Sequence, residues 1–294
     1  MSKLNKENVW HAIFFLLACF SIIAVALICY FLFVNGSAAI GKIGLVKFIT
    51  GTKWKPLNEI FGILPMIVGS ILVTLLAIII GLPIGIFSAM FMAFFCPKKL
   101  YVFIKPFVSL LAGIPSVVYG FFGVQVLVPI MGDLTGMASG KSMLTGAILL
   151  AIMILPTIIE ISESALRAVP KAYYNGARAL GATHERSVYK VMLKAASSGV
   201  IASAVLGIGR AIGETLAIIW VAGNQPIMPR FIGQSAKGFL SGVRTLTANI
   251  VLEMGYAADI HREALIGTGL VLFVFILIIN LSFSLIKRRM SNHE

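Results

Sequence analysis

Two charged residues, Arg210 and Glu214, interrupt an apolar segment in the second half of the chain, within the run Gly207-Ile-Gly-Arg-Ala-Ile-Gly-Glu-Thr215. Because residues four apart share one face of an α-helix, the spacing predicts an Arg210–Glu214 pair. A charge within a membrane span costs at least ~2.5–3.5 kcal/mol on insertion scales and commonly marks a pathway. A guanidinium can bind an oxyanion through two parallel hydrogen bonds while a carboxylate orients it. The pair therefore predicts an anion pathway, and a structural ion pair that holds helices together is the alternative.

Small and polar residues surround this pair on the predicted helix. Ser203 lies on the same face about two turns before Arg210, which predicts a stripe that faces the interior of a helix bundle. Gly209 and Gly213 form a small-xxx-small pair that lets another helix approach closely. The candidate residues of the substrate pathway are Ser203, Arg210, Glu214 and Thr215.

Two further carboxylates, Glu160 and Glu163, lie three residues apart near the end of the preceding apolar segment. Carboxylates at this position can line the exit of a pathway or form a polar network at a helix end. Both lie near the predicted membrane interface, so we favour the structural role.

Other kinds of site are not supported by the residue spacings. The run Gly136-Met-Ala-Ser-Gly-Lys-Ser142 resembles a phosphate-binding P-loop, but Thr135 stands where the first glycine is required, and no strand precedes it. The three cysteines, Cys19, Cys29 and Cys96, have no metal-ligand spacing, and neither a zinc motif nor a nucleophile elbow is present. We therefore expect no catalytic residue, no metal and no cofactor on this chain, with any ATP bound by a partner subunit.

The composition indicates a polytopic membrane protein. Of the 294 residues 59% are hydrophobic and 12% are charged, about half of the ~25% usual for soluble domains. The net charge of +13 comes without basic tracts interleaved with exposed aromatic residues, so lysines and arginines that flank a membrane explain it better than nucleic-acid binding.

Hydropathy predicts an all-α protein with six transmembrane helices, since each apolar run covers the ~20 residues that a bilayer requires. The predicted spans are residues 10–34, 64–95, 107–131, 143–165, 200–222 and 264–286. We divide the chain into an N-terminal anchor helix and external loop (1–63), a permease core (64–286) that contains a polar loop (166–199), and a tail (287–294). With the N-terminus inside, the inner segments hold 14 of the 24 lysines and arginines, which predicts that both termini are cytoplasmic.

The polar loop 166–199 has the pattern of a helix, a glycine bend and a second helix. Pro170 fits the first turn of the first helix, Gly181 ends it, and Thr183 can cap the second. In the second helix, Val188, Val191 and Met192 lie on one side and Arg186 and Lys190 on the other. His184 is predicted to be a solvated surface residue. The alternative is an ordinary basic amphipathic loop.

The run Asn175-Gly-Ala177, followed by Gly181 and Val191-Met-Leu193, resembles the EAA loop of ABC importer permeases. In that family a short coupling helix docks into a cleft of a cytoplasmic ATPase. The family's Glu is Asn175 here and its closing Pro is Lys194, so the match depends on Ala177, Gly181 and their spacing. The resemblance assigns coupling to the ATPase to Ala177, Arg178, Gly181, Ala182 and Thr183.

The segment GIGRAIGETLA is similar to the GRAxGET segment of phosphate-importer permeases, and AGIPSVVYGFFG and LPTIIEISESALRAVP resemble segments of the same group. Residues 48–65 look more like the PstC-type subunit than its PstA-type partner. The resemblance implies a type I ABC importer permease fold and a bacterial plasma-membrane (inner-membrane) location. It also implies a heterodimer with a second permease subunit, two ATPase subunits and an external phosphate-binding protein. A permease for phosphonate or sulfate, the PstA-type subunit, a secondary anion transporter and a structural membrane protein remain alternatives.

Overall fold

The computed structural model describes the backbone of residues 2–229 and 238–291. Two of the cations assigned to outer segments, Arg230 and Lys237, lie outside the described residues, as do the side chains of the basic cluster Lys287–Arg289. The backbone of the predicted tail continues the last helix as far as Ser291.

The described chain is almost entirely helical. The first half contains α1 Ser2–Ile43, α2 Leu45–Thr50, α3 Leu64–Met90 with a π-helical extension Phe91–Phe95, α4 Lys98–Gly113, α5 Ser116–Phe122, a π-helical segment Gly123–Leu127 and α6 Val128–Thr135. The second half contains α7 Met143–Ala168, α8 Lys171–Ala179, α9 His184–Arg186, a π-helical segment Ser187–Met192, α10 Leu193–Ala195, α11 Ser197–Gly213 and α12 Leu216–Val221. Two more helices follow, Leu246–Glu253 (α13) and Asp259–Ser291 (α14).

Five of these helical segments are long and apolar enough to cross a membrane. They are Glu7–Ile43, Leu64–Phe95, Ser116–Thr135, Met143–Ala168 and Asp259–Ser282. The helices His184–Ala195 and Ser197–Gly213 are bent by 70° against each other and give a sixth span when counted together. The predicted all-α architecture with six spans is confirmed.

Two predicted spans differ from the observed helices. The third begins at Ser116 and not at residue 107, because Ile114 and Pro115 are extended and separate it from α4. Proline disfavours the helical conformation in the residue that precedes it, here Ile114, which explains the break. The fifth span, predicted for residues 200–222, is interrupted at Glu214, which is extended between α11 and α12.

The interior of the bundle is formed by α7 packed against α3 and α11. Gly85 of α3 lies against Ile158, where a Cβ on the glycine would come 2.6 Å from the isoleucine Cγ2. Ile154 and Ile158 of α7 are both fully or almost fully buried. Small residues on α3 therefore let α7 approach closely, and α7 becomes the central helix.

A small cap covers the end of the bundle where α3 begins, which we call the hairpin end. Helix α2 precedes a two-stranded antiparallel hairpin of β1 Trp54–Lys55 and β2 Ile60–Phe61, in which Trp54 pairs with Phe61. Phe48, Ile63 and Leu265 are fully buried in the core beneath the hairpin. The opposite end carries α8 and the helix His184–Ala195, and we call it the loop end.

The cap depends on a close contact between two glycine backbones. A Cβ on Gly62 would lie 2.7 Å from the Cα of Gly51, closer than real Cβ contacts. We expect Gly62→Ala to lower the free energy of unfolding by roughly 1–3 kcal/mol, because overpacking forces the backbone to shift. Thermal unfolding of the purified protein in detergent measures this.

The matched control is Gly41→Ala, because a Cβ at Gly41 in α1 meets nothing within 4 Å. That change should leave the unfolding temperature equal or slightly higher, since alanine is the better helix former. Equal unfolding temperatures for the two variants would contradict the close contact.

Candidate functional site

Arg210 lies in the last turn of α11 and points toward α7. Its Nη1 donates a hydrogen bond to Thr157 Oγ1 at 3.0 Å. Within the described part of the chain this is its one hydrogen bond, so most of the five guanidinium donors stay free for another group. The side chain is half-buried, in one of the two helices that together count as the sixth apolar span, and a charge inside a span is expensive. Arg210 is therefore a cation with donors available for an anion.

The predicted Arg210–Glu214 pair is not formed. The ion pairs found among the described residues do not include it. Glu214 lies just beyond α11 with an extended backbone, so the two residues do not share one helical face. Its Oε1 instead accepts hydrogen bonds from the backbone N–H groups of Thr215 (3.2 Å) and Ala217 (3.3 Å). The carboxylate thus caps α12, a role that acidic side chains commonly have at a helix N-terminus.

Two threonines bind backbone carbonyl groups that the break between α11 and α12 leaves free. Thr215 Oγ1 donates to the carbonyl of Gly213 at 3.3 Å, and Thr247 Oγ1 of α13 donates to the carbonyl of Glu214 at 3.2 Å. Non-helical backbone inside a membrane needs such partners. The predicted pathway residue Thr215 therefore lies beside Glu214 at the break, where it satisfies the backbone.

Ser203 faces α7 and not open space. It is fully buried, and its Oγ lies 2.7 Å from Ser162 Oγ and donates to the carbonyl of Val200. Gly207 lies on the same side of α11, where a Cβ would come 3.1 Å from Ile158. The predicted stripe of small residues exists, but it packs two helices together. Gly209 and Gly213 lie elsewhere on α11, where a Cβ would meet nothing within 4 Å.

The carboxylates Glu160 and Glu163 on α7 have different environments. Glu163 is 2% exposed and binds Lys105 of α4 at 2.8 Å and Arg167 of α7 at 2.7 Å. Arg167 also donates to the carbonyl of Met92 at 2.8 Å, which connects the end of α3 to the same network. The structural role is confirmed for Glu163. Glu160 is half-buried, and its Oε1 accepts one hydrogen bond from Ser109 Oγ at 2.6 Å.

The predicted helix, glycine bend and second helix are present in the polar loop. Gly181 has φ +82°, the left-handed conformation that favours glycine. The N–H of Gly181 donates to the carbonyl of Arg178 and the N–H of Ala182 to that of Ala177, a Schellman motif that ends α8. Thr183 then caps the next helix through its hydroxyl, which accepts from the N–H of Arg186.

Helix α8 and the residue that follows it present side chains that the described part of the chain leaves uncovered. Tyr173 is exposed, and Leu180, just after the helix, is 91% exposed. In the second helix, Val188 and Met192 are buried as predicted, while Val191 is only half-buried. The apolar residues of α8 form an uncovered surface at the loop end, as a helix that docks into another protein would.

His184 is part of a contact that the sequence pattern did not reveal. Its Nδ1 lies 2.8 Å from the hydroxyl of Tyr174, and its ring packs edge-on against Phe95 with 4.7 Å between the centroids. The prediction of a solvated surface histidine is wrong, because the π-helical extension of α3 reaches the loop and packs against the ring. The polar loop is thereby in direct contact with the end of α3.

A second network missed by sequence reasoning lies at the hairpin end. Glu253 is buried and binds Arg244 at 2.5 Å, while its other oxygen accepts from Trp54 Nε1 at 2.8 Å and lies 2.9 Å from His261 Nε2. Trp54 and Glu253 are 199 residues apart, so no local pattern indicates the contact. The network ties the hairpin to α13 and α14.

The sequence of the chain matches a known protein family. Residues 81–292 match the model of the family described as binding-protein-dependent transport system inner membrane component. The chain belongs to this family. Its members are transport components of membranes, so the chain is a multi-pass transport subunit and not an enzyme.

Similar proteins agree with this assignment. A probable ABC transporter permease protein of Bacillus subtilis, YqgH, is 39% identical, with 89% of this chain and 86% of that protein covered. A phosphate transport system permease protein of Mesorhizobium japonicum, PstC, is 32% identical, with 84% of this chain and 80% of that protein covered.

Solved structures show the fold of the permease. A bacterial ABC transporter that imports the polysaccharide alginate aligns with a TM-score of 0.59 over 96% of this chain and 99% of that one, at 14% identity. An inward-facing MetNI methionine transporter aligns with a TM-score of 0.56 over 81% of this chain and 99% of that one, at 20% identity. The predicted type I importer permease fold is confirmed.

The buried Glu163 network should stabilise the permease measurably. Glu163→Gln leaves Lys105 and Arg167 without their carboxylate, so we expect the free energy of unfolding to fall by roughly 1–3 kcal/mol. Chemical or thermal unfolding in detergent measures the change.

The matched control is Glu263→Gln, which removes an ion pair between Lys42 and Glu263 whose side chains are 56% and 38% exposed. Solvent and salt screen such a pair, so its loss should cost less than about 1 kcal/mol. A loss as large in the control as in Glu163→Gln would contradict the assigned role of the buried network.

Proposed function

We propose that the permease carries inorganic phosphate across the plasma membrane of a bacterium as part of an ATP-driven importer. The observation that carries the proposal is Arg210, a half-buried guanidinium at membrane depth with one hydroxyl partner and free donors. A phosphate oxyanion offers the planar, bidentate acceptor geometry that a guanidinium recognises. Relatives named as phosphate transport permeases support the same anion.

The proposed assembly contains a second, related permease subunit, two ATPase subunits and an external phosphate-binding protein, with lipids around the spans. The open side of α11 at Gly209 and Gly213 leaves space for a neighbouring subunit. The exposed Tyr173 and Leu180 offer an apolar surface to an ATPase. ATP binds to the partner subunits, because this chain has no complete P-loop.

The proposed cycle begins when ATP closes the ATPase dimer and moves α8. The contact of His184 with Phe95 passes this movement to the end of α3, and Arg167 of α7, which donates to the carbonyl of Met92, extends it to α7. The spans then open toward the binding protein, which releases its anion. Arg210 lowers the electrostatic barrier for the anion as it passes, and a tighter site would retain the anion.

The proposed orientation places both termini in the cytoplasm. This orientation is based on the excess of lysine and arginine in the inner segments. Several of these cations are exposed on the polar loop. The loop end then faces the ATPase, and the hairpin end faces the binding protein.

The first test concerns Arg210. In vesicles that contain the complete importer, Arg210→Gln should lower ATP-driven uptake of labelled phosphate at least tenfold at equal complex content, because an amide cannot replace a desolvated cation. Arg210→Lys should retain part of the uptake, since it keeps the charge and loses the bidentate geometry. Normal uptake by Arg210→Gln would refute the pathway role.

Glu214→Gln is the control that separates charge from capping. Its amide oxygen can still accept from the N–H groups of Thr215 and Ala217, so a capping role predicts uptake within about twofold of the wild type. A loss as deep as that of Arg210→Gln would show that the negative charge itself is required.

The second test concerns the coupling loop. Gly181→Val should reduce coupled uptake while the subunit still inserts, because a β-branched residue at φ +82° is strained by about 1–2 kcal/mol or more and should misplace α8. A Cβ at this position meets nothing within 4 Å, so any effect is conformational. ATPase co-purification and uptake per complex are the measurements.

Gly181→Asn is the matched control, because asparagine tolerates the left-handed conformation. It should retain most of the uptake. Equal uptake by Gly181→Val and Gly181→Asn would contradict the assigned role of the glycine bend.

A further inference from the structure

Glu160 is a carboxylate within a membrane span that has no cation partner among the described residues. Its Oε1 accepts from Ser109 Oγ at 2.6 Å, and its Oε2 has no hydrogen bond or ion pair in that part of the chain. Its neighbour Glu163, in contrast, is saturated by Lys105 and Arg167. Carboxylates in membrane spans are rare and expensive, and they commonly mark substrate pathways or proton relays. Glu160 therefore has an acceptor to offer to a hydrogen-bond donor.

The position of Glu160 relates it to Arg210. Thr157 and Glu160 are three residues apart in α7, so they are neighbours on one helical face. Thr157 is the residue that accepts the hydrogen bond from Arg210 Nη1. One face of α7 thus contacts the Arg210 guanidinium through Thr157 and carries the Glu160 carboxylate about one turn further along, where Ser109 binds it.

This face is accessible. Glu160 and Thr157 are half-buried, Ser109 is exposed, and Ser164, one turn further along α7, is exposed as well. Polar residues on an exposed face at membrane depth fit a water-filled pathway or a subunit boundary better than lipid.

We propose that Glu160 selects for oxyanions that carry a proton, by accepting a hydrogen bond from the O–H of the anion while Arg210 binds its deprotonated oxygens. Hydrogenphosphate and hydrogenarsenate keep at least one O–H at neutral pH, whereas sulfate has none. A sulfate oxygen placed against Glu160 would bring two acceptors together without a proton, which is unfavourable. The inference rests on the proposed function and adds the chemical class of the substrate to it.

The bond to Ser109 also fits a purely structural role, in which Glu160 joins α4 to α7. That role predicts that changing Glu160 alters stability and leaves the preference between anions unchanged. Anion preference is therefore the deciding measurement, and it must be made without the external binding protein, which would impose its own selectivity.

The experiment measures protection of a cysteine placed at Ser164 in the assembled importer in nanodiscs. Cys19, Cys29 and Cys96 are replaced by serine, and the rate of maleimide labelling is followed at neutral pH in phosphate, arsenate or sulfate at equal ionic strength. With Glu160 present, phosphate and arsenate should slow labelling at least threefold, and sulfate should change it less than 1.5-fold. In Glu160→Gln, whose amide can donate to sulfate, the three anions should protect within twofold of one another.

Glu263→Gln serves as a control for loss of an acidic side chain and should keep the wild-type preference for phosphate. Equal protection by sulfate and phosphate with Glu160 present, a preference that survives Glu160→Gln, or a thiol at 164 that no anion protects would each overturn the inference. If Arg210→Gln still abolishes phosphate uptake in that case, the proposed function stands and only the role of Glu160 fails. If Arg210→Gln transports normally, the proposed function fails by its own test.

Discussion

The permease depends on almost two turns of α7, from Thr157 to Glu163, in which polar side chains meet their partners within an apolar bundle. Thr157 binds Arg210, Glu160 binds Ser109, Ser162 binds Ser203, and Glu163 binds Lys105 and Arg167. In lipid no water replaces a lost partner, so each of these contacts constrains where a neighbouring helix can lie. Helices α4 and α11 are thus positioned by α7, while the close contact with α3 comes from glycines.

The same constraint explains the two breaks in the helices. At the first, the chain leaves the helix at Ile114, and Tyr119 donates its hydroxyl to the carbonyl of Leu111. At the second, Glu214 caps α12 and Thr247 binds the freed carbonyl. A broken helix frees backbone N–H and C=O groups from their helical hydrogen bonds. Some of these groups can serve a pathway only if side chains bind the others. Arg210 lies just before the second break, which places a cation next to polar backbone.

Conformational coupling has a physical route in this arrangement. The Schellman motif at Gly181 fixes the angle between α8 and the next helix, and His184 and Tyr174 bring that helix against Phe95 at the end of α3. Arg167 of α7 binds both Glu163 and the carbonyl of Met92, so this side chain joins the end of α7 to the end of α3. Packed rings and hydrogen bonds therefore join the polar loop to two central spans.

The sequence by itself determined the class of the protein, the six apolar spans and the helix, bend and helix of the polar loop, because hydropathy, helical spacing and a left-handed glycine are local properties. It also predicted that Val188 and Met192 would be buried and Arg186 exposed. Only the tertiary structure decided which side chains bind one another. Spacing alone suggested that Arg210 would pair with Glu214, yet a break of two residues turned the carboxylate to the α12 N-terminus and left the guanidinium to Thr157, 53 residues away. Ser203 became a packing residue, and Trp54 bound Glu253, for the same reason: a side chain's partner is set by where whole helices come together, which short-range sequence patterns do not contain.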